Sequence, residues 1–186
     1  MSSSRKPRKQ YRPRVIDAAA TFNAIEGASK LPQRQVTQAV AGMHTSLMHL
    51  QCHRAPELQV RVMGDMLNVS EQLADLGICS DDGSRAIITA AQITIATLCE
   101  RHAATNSWAM RAEGIDTLRQ AIDRHHIQLQ HCSRREYEAA LDAVARIVSQ
   151  ALAGNAGQRV IVIGHMDGTH GDWRTHRPAT GETVSP

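Results

Sequence analysis

Four consecutive residues, Ser133-Arg134-Arg135-Glu136, constrain this chain more than any others. The Ser133 hydroxyl is placed to accept from the Glu136 amide while the Glu136 carboxylate reaches back to the Ser133 amide, a reciprocal cap that starts a helix. Before it, Ile115, Leu118, Ile122, His125 or His126, and Leu129 recur at spacings of three and four, which puts them on one helix face. After it, Tyr137, Leu141, Val144, Val148 and Leu152 form a second stripe, and Gly154 can take the left-handed conformation that closes a helix. The spacing therefore predicts helices over 112–131 and 133–153, joined so tightly that they fold back as an antiparallel αα-hairpin. Each carries one apolar stripe, so the hairpin needs further helices to cover it.

Those helices are legible upstream. From Pro32, well placed in a first helical turn, Val36, Val40, Met43, Leu47 and Leu50 predict a helix over 32–52. Pro56 and Glu57 open the next, over 56–76, with Val62, Met66, Val69, Leu73 and Leu76 as its stripe; Gly77 stops it and Ile78 packs back on its last turn. Ser80, Asp81 and Asp82 are three successive candidate N-caps for a helix over 81–102, marked by Ile87, Ile88, Ala91, Ile95 and Leu98. Its β-branched run has strand propensity, but about twenty residues without a central breaker favour a helix. Residues 103–110 read as a loop anchored by Trp108, and 15–28 as a short helix or an extended segment lying on the bundle. The expected fold is an all-α antiparallel bundle of about five principal helices within 15–154.

A length of 186 residues is enough for one domain with a real core, and 3% aromatic content makes that core aliphatic. No apolar run approaches the ~18 residues of a membrane span, and no apolar stretch follows the N-terminal charges as in a secretory signal, so a cytoplasmic protein with no membrane contact is expected. Cys52, Cys79, Cys99 and Cys132 lack the close pairing of structural zinc ligands and read as buried free thiols.

After Gly154 the character changes. Residues 159–163 suit one short strand without a visible partner, or a segment resting on the bundle or serving an interface, and the Gly-, Thr-, His- and Pro-rich remainder of 155–186 reads as an irregular, dispensable tail. His165, Asp167, His170, Asp172 and His176 supply imidazole and carboxylate donors within twelve residues, but at no recognised ligand spacing, so no metal and no cofactor is expected. His125, His126 and His131 read as helix-surface histidines. There is no Gly-rich phosphate loop, no GxSxG and no HExxH, and the sequence supports no catalytic residues.

Charge is what remains. Residues 1–14 hold Arg5, Lys6, Arg8, Lys9, Arg12 and Arg14 with no acid, whereas 15–154 hold 12 basic and 15 acidic residues and 155–186 hold 3 of each. The arm thus carries +6 on a body of −3 and, with three serines and two prolines, is expected to be disordered when free. Cations alternating with prolines can follow a phosphate backbone, with Tyr11 available to stack on a base. The candidate nucleic-acid-binding set is therefore Arg5, Lys6, Arg8, Lys9, Tyr11, Arg12 and Arg14.

The arm Lys9-Gln10-Tyr11-Arg12-Pro13-Arg14, the segment Leu67-Asn68-Val69-Ser70-Glu71-Gln72-Leu73-Ala74 and the final Glu136-Tyr137-Glu138-Ala139-Ala140-Leu141 together resemble small helical proteins of proteobacterial phages, prophages and mobile elements. The resemblance covers 9–150 and implies a bacterial cytoplasmic setting and an accessory role; it brings no activity and no site residues with it. Two functions follow as expectations: a non-enzymatic binding module whose basic arm contacts nucleic acid or, alternatively, a protein-interaction factor that binds and modulates a host protein or defence complex.

Overall fold

The computed structural model describes residues 18–53 and 57–153, together with the pairs 161–162 and 174–175. Six helices occur among them: α1 (Ala18–Ala28), α2 (Gln33–Gln51), α3 (Glu57–Asp75), α4 (Asp82–Thr105), α5 (Ala112–His131) and α6 (Arg134–Leu152). The fold is an all-α bundle, as the periodicity predicts. The 1–14 arm lies outside the described residues, as does most of the 155–186 tail.

Helix ends follow the local chemistry. Asp81 caps α4, its carboxylate accepting from the Ser84 amide at 2.9 Å, and the bonds from Ser84 hold that carboxyl below its usual range. At the end of α3, Gly77 sits at φ +90°, the Ile78 amide donates to the Leu73 carbonyl at 2.9 Å and the Gly77 amide to Ala74 at 3.1 Å. This is the expected Schellman closure, and Ile78 packs on the core beside Leu73. α4 runs three residues past its expected end because Asn106, not a glycine, adopts the left-handed conformation and donates its amide to the His102 carbonyl at 2.7 Å. Within α4 the β-branched run stays helical: Ile88 and Ile95 are buried, and the Thr94 hydroxyl donates back to the Ala90 carbonyl.

α3 is the central element, touching α2, α4, α5 and α6. Its expected stripe is therefore too narrow. Val60, Met63, Leu67 and Ala74 are buried along with Met66, Val69 and Leu73, whereas Leu76 is 48% exposed beyond the last neighbour. The larger core joins α2 (Met43, Leu47, Leu50), α3, α4 (Ala91, Ile95, Leu98) and α5 (Ile115, Leu118, Ile122). Trp108 packs against it and stacks on the His102 ring at 3.6 Å, so the loop is anchored as expected.

The expected hairpin of α5 and α6 does not form. Cys132 and Ser133 are both extended, and α6 packs on α3 instead of along α5, whose buried face is already taken by α2 and α4. Its inward face consequently differs from the expected stripe: Ala140 and Ala151 are buried and Tyr137, Val144, Ile147 and Val148 half-buried, while Leu141 and Leu152 are 41% and 60% exposed. The two-residue strand β1 (Ile161–Val162) does find a partner, antiparallel β2 (Arg174–Thr175), and rests against α3 and α6.

Candidate functional site

The seven candidate residues, Arg5, Lys6, Arg8, Lys9, Tyr11, Arg12 and Arg14, lie outside the described residues, and the structure brings none of them together. What it does show is how the C-terminal end of α1, the first described helix, is fixed. α1 packs on α6, and the linker after it is clipped to the turn before α6: the Arg134 amide donates to the Ser29 carbonyl at 2.8 Å, and Lys30 and Ser133 form an isolated antiparallel bridge. The Arg134 guanidinium adds an ion pair to Glu26 at 2.5 Å and a longer one to Glu138 at 3.4 Å. The expected capping box is present, with the Ser133 amide donating to Glu136 at 2.6 Å and the Glu136 amide to the Ser133 hydroxyl at 3.3 Å, and these bonds hold the Glu136 carboxyl below its usual range. One four-residue motif thus starts α6 and also holds the C-terminal end of α1 and the linker after it.

This junction carries further cations that sequence reasoning missed. Lys30, Arg34 and Arg135 are exposed there, and none makes an ion pair among the described residues. Only the capping motif signals the place in sequence, and it gives no hint that residues a hundred positions upstream meet it.

The second polar constellation is internal. Ser70 on α3 and His125 on α5, 1% and 2% exposed, share a 2.7 Å hydrogen bond between Oγ and Nδ1. Gln128, one turn further along α5, donates to the Ser70 carbonyl at 3.0 Å and the Ile78 carbonyl at 3.2 Å, so it ties α3 to the loop beyond it. Gln92 on α4 donates to Glu71 at 2.8 Å. Of the two histidines the stripe allows, His125 takes the buried face between Ile122 and Leu129, so it is not a surface histidine, and burial lowers its pKa to about 4. A serine and a histidine at this distance invite a catalytic reading. Their burial argues against it, because no substrate atom reaches a hydroxyl that is 1% exposed. The pair orients α3 against α5.

The cysteines are free, and the thiols of Cys99 and Cys132 are buried and pushed up to about 12 and 11, which keeps them protonated and unreactive. Cys52 departs from the expectation of buried thiols and is exposed; Cys79 is half-buried. Among the described residues no group of three or more His, Cys, Asp or Glu side chains could hold a metal ion. His165, Asp167, His170, Asp172 and His176 lie outside them. Among the described residues no helix is long and apolar enough to cross a membrane.

The class these features define is an all-α bundle with a basic N-terminal extension. Comparison of the chain with known protein families, with curated proteins and with solved structures gave no match.

Proposed function

We propose that this chain is a non-enzymatic accessory protein of a phage or mobile element, acting in a bacterial cytoplasm as a helical module whose basic arm contacts nucleic acid. The observation that carries this reading is the separation of charge, six cations without an acid in residues 1–14 against a bundle of net −3. A polyanion is drawn to the arm and repelled by the body, so affinity resides in the arm. The clip between Ser29 or Lys30 and the start of α6 fixes the C-terminal end of α1, where Lys30 and Arg135 are exposed as further cations. No base-reading helix is evident, so contacts fall on the phosphate backbone and sequence preference is slight.

The test is replacement of Arg5, Lys6, Arg8, Lys9, Arg12 and Arg14 together by Gln. Binding to mixed-sequence DNA or RNA is expected to vanish at moderate salt with helical content unchanged, and Tyr11→Ala to weaken single strands by about 1 to 3 kcal/mol through lost stacking. Undiminished binding by the Gln variant would overturn the proposal and leave recognition of a host protein as the function to pursue.

A further inference from the structure

α1 is eleven residues long, and none of its described residues belongs to the bundle's core clusters. From Phe22 to Ala28 only Gly27 is half-buried and the others are exposed, Phe22 and Ile25 by 66% and 67%; Ala19 and Ala20 are exposed as well. A helix this short is marginal in water unless packing holds it, and the packing here covers little apolar surface. The linker after it is fixed more firmly. Leu31 is half-buried against the cluster around Leu73 and Cys132, while the Arg134 amide bond to Ser29 and the Lys30 to Ser133 bridge tie the preceding two residues to the start of α6. A firm linker beyond a lightly packed helix puts a hinge at Ala28 and Ser29.

α1 meets α6 at its C-terminal end, through Gly27, where an added Cβ would stand 3.4 Å from the Arg135 Cβ, and through the ion pair of Glu26 with Arg134. The two side chains of that pair are 48% and 37% exposed, so water screens it and it holds weakly. Arg134 also has a second carboxylate within reach. Glu26 takes its Nη1 at 2.5 Å, and Glu138, one turn along α6, stands 3.4 Å from its Nε. The pair with Glu138 lies within one helix and stays when α1 leaves. Arg134 thus keeps a partner in either position of α1, and letting go of Glu26 returns a carboxylate to water without stranding the cation.

We propose that α1 is a strap that opens as a unit about Ala28 and Ser29 while the rest of the bundle stays folded, with Arg134 as a two-position catch: shared between Glu26 and Glu138 when α1 lies on α6, and on Glu138 alone when α1 swings out. Opening uncovers no core residue, so it belongs to the low-stability end of local unfolding. Once off α6, α1 loses its support and unwinds. Residues 18–28 then add up to about 35 Å of reach to the chain before them, at roughly 3.3 Å per residue. The strap thereby sets how far residues 1–14 can travel from the bundle. That use rests on the reading of the arm as a nucleic-acid contact, whereas the opening itself is independent of what the arm binds.

Native-state hydrogen exchange of the full chain, followed amide by amide by NMR without nucleic acid, tests it, so its failure leaves the arm's binding untouched. The amides of Phe22 to Ala28 are expected to be measurably protected, yet far less than the amide of Leu67 in α3, and to exchange by an opening insensitive to low urea. Glu26→Gln is expected to lower their protection about two- to fivefold by loosening the closed position. Glu138→Gln is expected to raise it, because the open position loses its sole partner for Arg134 and the closed position keeps Glu26. The amide of Leu67 is expected to be unchanged in both. Exchange of α1 only together with Leu67, or no protection of α1 at all, overturns the proposal. So does a Glu138→Gln effect that is absent or has the same sign as that of Glu26→Gln.

Discussion

At the scale of single residues, the buried Ser70 and His125 pair carries the clearest consequence. His125 is held neutral with a pKa of about 4, against 6.5 for an ordinary histidine, so between those values the unfolded chain binds a proton that the native chain refuses. The stabilisation is complete above about pH 6.5 and is lost as pH falls toward about 4, amounting to about 3 kcal/mol at roughly 1.4 kcal/mol per unit. Urea unfolding at pH 7 and pH 4.5 is expected to show this loss, and His125→Gln to lessen it. Ser70→Ala, which leaves the imidazole nitrogen without its partner, is expected to cost about 1 to 3 kcal/mol at pH 7. Ser133→Ala removes a cap and is expected to cost about 1 kcal/mol in the same assay.

At the scale of elements, the sorting of leucines gives a direct check on packing. Leu73 on α3 is fully buried, and Leu73→Ala is expected to cost about 2 to 5 kcal/mol; Leu141→Ala, on the outer side of α6, is expected to cost far less. The pattern of right and wrong expectations has the same origin. The stripes of α2 and α5 were legible because each presents one side to the core, and the caps at Asp81, Gly77 and Ser133 were legible because capping is local. Periodicity gives α3 too narrow a stripe because four neighbouring helices bury it on several sides, a fact of the tertiary arrangement that spacing does not encode. On α6 the expected Tyr137, Val144 and Val148 do pack inward, but periodicity centres the stripe too far round the helix, because Leu141 and Leu152 outweigh Ala140 and Ala151 in any hydrophobic count, yet the small alanines are what sit at the buried contact. The clip between Lys30 and Ser133 was invisible for the same reason, since nothing local pairs them.

At the scale of the whole molecule, the excess positive charge lies in residues 1–14 and the described helices form the bundle. The seven arm residues proposed to bind were legible from sequence because charge counts need no structure, whereas Lys30, Arg34 and Arg135 became part of the picture only once the junction was seen. The measurement that bears most directly on the central claim is the salt dependence of binding, read by fluorescence anisotropy of a labelled mixed-sequence duplex titrated with the full chain. Measured per chain, log affinity against log salt is expected to fall with a slope of roughly −5 if all six arm cations neutralise phosphates, and the slope is expected to collapse when residues 1–14 are removed. No binding at low salt, or a slope that survives removal of the arm, would contradict the account.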